Sequence, residues 1–137
     1  MKISTRGRYA LRMLVDLAQH SSEGYISLGE IAGRQGISKN YLEQIISMLK
    51  NSGILIASRG AQGGYQLSKG PSELKVGELL RCTEGSVSPV ACLENSYEDC
   101  PRNDFCLTLP VWIGLERVML EYLDTITIQD ILEGTVE

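Results

Sequence analysis

The stretch Ser27-Leu28-Gly29-Glu30-Ile31-Ala32-Gly33-Arg34-Gln35-Gly36-Ile37-Ser38-Lys39-Asn40-Tyr41-Leu42-Glu43-Gln44-Ile45-Ile46-Ser47-Met48-Leu49 reads as two helices and the turn between them. Ser27 and Glu30 have the spacing of a capping box, a hydroxyl cap with an acid three residues on, which opens a helix through about residue 35. Gly36 follows, where a left-handed turn residue costs least. Ser38 can cap a second helix from 39 to about 52. Ala32 stands four residues before Gly36, where a larger side chain would push the helices apart. Ile31, Ile37, Leu42 and Ile45 supply the apolar contacts that set their crossing angle. The pattern is that of a helix-turn-helix.

In such a motif the second helix enters the major groove of DNA and its first residues reach base edges. Leu42, Ile45, Ile46 and Leu49 recur at i, i+3, i+4 and i+7 and form the buried stripe. That leaves Ser38, Lys39, Asn40, Tyr41, Glu43, Gln44 and Ser47 on or beside the exposed face. Asn40 and Gln44 can bond adenine in bidentate fashion, and Glu43 can accept from cytosine N4.

Downstream, the β-rich run over 53–58 and the alternating run Tyr65-Gln66-Leu67-Ser68 enclose Arg59-Gly60-Ala61-Gln62-Gly63-Gly64. Two strands around a glycine-rich tip predict a hairpin. After a helix-turn-helix it is a wing, whose Gly60 and Gly63 let the backbone approach a narrow groove while Arg59 and Gln62 can contact it. No helix opens after the tip, so it is a poor nucleotide-phosphate cradle. Upstream, Tyr9, Ala10, Met13, Leu14 and Leu17 give residues 8–19 one apolar stripe and predict a helix.

The charge is divided along the chain. Of 137 residues, those up to Lys75 include ten Lys/Arg and five Asp/Glu, a net of +5, and those from Val76 carry three against twelve, a net of −9. A basic half suits a polyanion, and the acidic half should face away from it. No run of apolar residues is long enough to span a membrane, and the first residues lack the apolar core of a signal peptide. The reading is a cytoplasmic protein whose thiols are reduced, metal-bound or redox-active.

In the acidic half, Leu74, Val76, Leu79 and Leu80 form a further periodic segment, and Cys82 within it reads as a small buried hydrophobe. Pro110 is a good first residue for a long helix from about 111 to 124, with Val111, Leu115, Val118 and Tyr122 on one side and Trp112, Met119 and Leu123 flanking them. So wide an apolar surface predicts a two-fold dimer through these helices. Thr127 and Asp130 cap a closing turn. The expected organisation is a winged helix-turn-helix over 1–84, a cysteine-containing sensor loop over 85–109, and a dimerisation helix with a C-terminal turn over 110–137. The fold class is mainly α with a small β-hairpin wing.

Cys92, Cys100 and Cys106 lie in a polar loop with no core to pack against. Soft thiolates there suit zinc, copper(I) or an iron–sulfur cluster. Their spacing does not match paired C-x2-C zinc ligands. Glu94, Glu98, Asp99 and Asp104 surround them and favour protonated thiols unless a bound cation compensates. Composition and spacing alone support a soft-metal site. No convergent acid–base set exists, so the chain reads as a binding protein rather than an enzyme.

Residues 1–10 (MKISTRGRYA), Tyr41-Leu42-Glu43-Gln44 and Arg59-Gly60-Ala61-Gln62-Gly63-Gly64-Tyr65 together resemble the winged-helix iron–sulfur-regulator family, over nearly the whole chain. The resemblance implies a winged-helix homodimer that binds double-stranded operator DNA as a transcriptional regulator, a repressor by expectation. Three branches are similar: the IscR-type cluster-biogenesis repressors, the NsrR-type nitric-oxide sensors and the CymR-type cysteine-metabolism repressors. Cys92, Cys100 and Cys106 point to the IscR-type branch, and so to a 2Fe-2S cluster and control of cluster-biogenesis genes. Members of that branch add a histidine three residues after the last cysteine, where this chain has Leu109. The fourth ligand is therefore open among Asp104, Glu98, Asp99, a water or a small thiol.

Overall fold

The computed structural model describes residues 2–94 and 101–137. Helix α1 spans Thr5–Gln19 and begins three residues before the start at residue 8 that its apolar stripe predicts. The stripe cannot reveal that start, because a local cap sets it: the Ser4 hydroxyl accepts from the Gly7 N–H at 3.0 Å. Helices α2 (Leu28–Gln35) and α3 (Lys39–Asn51) follow, with Ser27 and Ser38 as their N-caps. Ser27 accepts from the Glu30 N–H at 3.2 Å, and the reciprocal bond from the Ser27 N–H to the Glu30 carboxylate is not among those formed by the described residues, so this is half a capping box. Gly36 closes α2 in the left-handed region at φ 65°.

Helices α1, α2 and α3 enclose the main core. Met13, Leu14 and Leu17 from α1 meet Ile31 of α2, Ile37 of the turn and the α3 stripe Leu42, Ile45, Ile46 and Leu49, all buried. The stripe is therefore the one the periodicity marked.

Strands β1 (Leu55–Ser58) and β2 (Gly64–Leu67) pair antiparallel, with Leu55 opposite Leu67 and Ser58 opposite Gly64. Ile26 adds a third lane that the sequence pattern does not announce, because it is a single residue. Its N–H donates to the Tyr65 carbonyl at 2.9 Å and its carbonyl accepts from the Tyr65 N–H at 2.8 Å. This stitches the wing to the segment leading into α2. Gly64 is what permits the approach, since a Cβ there would collide with the Ile26 carbonyl. Gly64→Ala is accordingly expected to lower stability by about 1–3 kcal/mol through forced overpacking. A urea-unfolding midpoint unchanged from that of the unaltered chain would refute this placement of the wing.

Helix α4 (Val76–Glu84) packs on α1 and α3, and α5 (Leu109–Thr125) packs one side against α4. Arg81 clamps these two helices by a fork of 2.7 Å bonds from Nη1 and Nη2 to the two Asp124 carboxylate oxygens. Val76, Leu80 and Val87 form a second, smaller core under Leu120 and Leu123 of α5. The short α6 (Ile128–Glu133) turns back onto α1 and buries Ile128 completely. Thr127 and Asp130 form the full reciprocal cap there, at 2.9 and 3.0 Å. The other side of α5 stays uncovered: Val111 is 60%, Val118 56% and Tyr122 48% exposed. Among the described residues no helix is long and apolar enough to cross a membrane.

Candidate nucleic-acid interface and thiol segment

Because α3 buries Leu42, Ile45, Ile46 and Leu49 on one side, Asn40, Glu43, Gln44 and Ser47 must line the other. They form one wall of an open cleft of about 720 Å³, with Arg6 from α1 and Met48 completing it. A second cleft of about 270 Å³ carries on past Glu43 and Ser47 to Lys50, Asn51 and Tyr65 of the wing. The polar face of α3 is thus continuous with the start of α1 on one side and β2 on the other.

The remaining candidates divide by role. The Ser38 hydroxyl accepts from the Tyr41 N–H at 3.3 Å as the cap of α3. Lys39 is exposed beside it. Tyr41 is half-buried rather than free, edge-on to Tyr9 with ring centroids 5.8 Å apart. Arg12 covers the other ring of this pair at 5.0 Å. Arg59, Gly60 and Gln62 are exposed at the wing tip, and the Gly63 N–H closes the turn onto the Gly60 carbonyl at 3.0 Å. These tip residues line neither cleft beside α3. Arg6, Lys50 and Tyr65 do line them and were not singled out by sequence. The basic cluster Arg6, Arg8 and Arg12 was the available signal for the first.

A buried carboxylate holds the framework beneath. Asp16 of α1 is 1% exposed. Arg34 of α2 reaches it with Nε at 3.0 Å and Nη2 at 2.7 Å, and the Gln35 side-chain amide adds a third bond at 2.8 Å. Burial alone would raise this carboxyl, but the hydrogen bonds from Arg34 and Gln35, with the Arg34 charge, outweigh it and hold Asp16 below the ordinary carboxylate value. Arg12 in turn donates from Nε to Gln35 Oε1 at 3.2 Å. The α1–α2 joint is thereby a polar lock within an apolar core.

Two thiols flank the stretch 95–100. Cys92 is half-buried in a single 3-10 turn, Ala91–Leu93. Cys106 is half-buried at the foot of α5, with its sulfur 3.4 Å from the Thr108 hydroxyl. Hydrogen bonding to Thr108, with help from the Leu109 and Thr108 backbone amides and the Arg102 charge, holds the Cys106 thiol below its ordinary value. Cys100, with the candidate ligands Glu98 and Asp99, lies outside the described residues. Asp104 is exposed. Leu109 is 8% exposed and serves as the first, core-filling residue of α5. Among the described residues no group of three or more His, Cys, Asp or Glu side chains is gathered as for a metal ion. Cys82 packs against the main core, with its sulfur 2.9 Å from the Ser52 hydroxyl, as a small half-buried side chain.

The family model described as "Rrf2: Iron-dependent Transcriptional regulator" matches residues 3–134. The chain belongs to the Rrf2 family. Rrf2 members are transcriptional regulators rather than enzymes, and the winged helix-turn-helix described above is their DNA-binding fold. The protein Rrf2 of Nitratidesulfovibrio vulgaris is 41% identical over 132 residues, 96% of this chain and 87% of that protein. The solved structure of T. potens IscR is 40% identical and covers 98% of this chain and 88% of its own, with a TM-score of 0.79. The structure of CymR, the global cysteine regulator of B. subtilis, is 38% identical and covers 96% of this chain and 95% of its own, at 0.78. The IscR and CymR structures thus superpose on this chain almost equally.

Proposed function

We propose that the chain is a cytoplasmic, homodimeric Rrf2 repressor that holds an iron–sulfur cluster on Cys92, Cys100 and Cys106 and regulates cluster-biogenesis genes by binding operator DNA. The observation that carries the reading is the placement of Cys106. It stands where the thiol segment joins α5, and its hydrogen bonds favour the thiolate that iron requires. The donor set fits a soft metal: sulfur ligands, a Cys106 thiol held below its ordinary value, and Cys92 and Cys106 both half-buried rather than packed away. A 2Fe-2S group there would supply a redox-active, iron-dependent signal. Leu109 gives no fourth ligand, so that position belongs to another group.

The exposed apolar side of α5 supports the homodimer, since covering it with the same face of a second copy removes the patch by two-fold symmetry. The bases would be read by Asn40, Glu43 and Gln44, with Ser38, Lys39 and Tyr41 beside them and Arg59, Gly60, Gln62 and Gly63 of the wing approaching a minor groove.

The test is titration of a duplex selected by the protein from a random-sequence library. Two chains are expected per duplex. Affinity should fall roughly 10³-fold or more between about 50 and 200 mM salt, as for six or more phosphate contacts. Binding by one chain, or affinity indifferent to salt, would remove the reading. The likeness to B. subtilis CymR favours one alternative, a cysteine-metabolism regulator of the same fold with no obligatory cluster. Iron and sulfide content of anaerobically purified protein separates the two.

A further inference from the structure

We propose that Arg6 is an operator contact from outside the helix-turn-helix and the wing: a guanidinium held beside the exposed face of α3 by the last turn of α4, where it engages a DNA phosphate. The proposal rests on the DNA-binding reading above. Arg6 is exposed and shares its cleft with Asn40, Glu43, Gln44 and Ser47, the residues that face DNA if α3 does. Its Nη2 donates to the Thr83 carbonyl at 2.8 Å. A guanidinium carries further N–H donors in a planar fork, so one bond orients the group and leaves the others to bind. None of the ion pairs among the described residues includes Arg6.

The backbone beneath the side chain is fixed from both ends of the contact. Ser4 caps α1, and its own N–H and hydroxyl donate to the Glu84 carboxylate at 3.2 and 2.6 Å. Gly7 leaves room for that carboxylate, which a Cβ would strike. Arg6 therefore starts from a pinned turn and is tethered to a fixed carbonyl, and little rotamer freedom remains to be lost on binding.

Position selects phosphate over base. Arg6 stands beside α3 and not on it, and groups flanking a recognition helix meet the strand backbones that border the groove. The guanidinium fork matches paired phosphate oxygens. It also offsets the repulsion that Glu43, in the same cleft, imposes on the DNA backbone.

The experiment uses the full chain and the library-selected duplex, with affinity followed by fluorescence anisotropy over a salt series. Arg6→Gln should flatten the plot of log affinity against log salt by about 0.9 per contact, about 1.8 for a dimer. Arg6→Lys keeps the charge and should keep the slope. An unchanged slope in the Gln variant overturns the proposal. So does an equal loss of slope in the Gln and Lys variants accompanied by a lowered melting temperature, which makes Arg6 an anchor for α4 only. If the unaltered chain shows no salt-dependent binding, the DNA-binding reading fails first and the proposal falls with it.

Discussion

Arg34→Met is expected to lower the free energy of unfolding by about 3 kcal/mol, the lower end of the range for breaking a buried ion pair. The reason is what the substitution leaves behind. Asp16 is buried and keeps its charge chiefly because Arg34 and Gln35 hydrogen-bond it, with lesser help from the Arg34 charge and from His20. Without Arg34 the carboxylate must either remain charged with one donor or take up a proton. Two facts moderate the loss: the Arg34 side chain is 33% exposed, and the Gln35 amide still reaches Asp16. Asp16→Leu combined with Arg34→Met should recover much of it, because two apolar groups leave no buried charge.

The pH dependence has a definite sign. The folded-state value of Asp16 is depressed, so its stabilisation is present above the unfolded-state value and is lost as pH falls through the folded one. The gap between the unaltered chain and Arg34→Met should therefore narrow as pH drops through and below the ordinary carboxylate range. Urea unfolding at several pH values measures both effects. A loss under about 1 kcal/mol, or a gap that widens in acid, would contradict the lock.

That lock also marks how far the sequence could be read. The helix-turn-helix was legible because its signals are local: Ser27, Gly36 and Ser38 act within three residues, and the stripe of α3 repeats at helical spacing. The hairpin followed from glycines between two β-rich runs for the same reason. Most of what escaped was carried by single residues acting across long separations. Asp16 lies between Met13 and Leu17, and only an acid amid an inward-facing stripe hinted that it was buried; its partner is 18 residues away. The early start of α1 is reinforced by Glu84, 80 residues downstream. Ile26 gave the wing a third lane with no strand pattern of its own. In the thiol segment, Cys92 and Cys106 were recognisable by type and context, yet spacing in a loop fixes no coordination shell, and Leu109, which stands where the resemblance expects a histidine, is buried at the start of α5.

The functional counterpart of the lock is the thiol set, where replacing Cys92, Cys100 and Cys106 together by alanine is expected to abolish bound iron. Anaerobically purified protein should carry about two iron and two sulfide per chain if the group is a two-iron cluster, with visible absorption, and the triple variant should carry neither. Cys82→Ala is the control, since that thiol packs against the core and should leave iron content unchanged. The winged helix does not depend on these thiols for its own core, so the variant should still fold and still bind DNA. What should change is the choice among duplexes. The segment they occupy leads directly into α5, whose uncovered face is the proposed dimer contact, and α5 is tied to α4 through Asp124 and Arg81. A ligand can bias the pose of the two DNA-binding units only by favouring one pose over another. A tenfold change in relative affinity corresponds to about 1.4 kcal/mol of such bias, and competition between selected duplexes resolves it. Retained iron in the triple variant would remove these cysteines as ligands. An iron-free protein, with duplex preferences untouched by the substitutions, would instead favour the cluster-independent cysteine regulator.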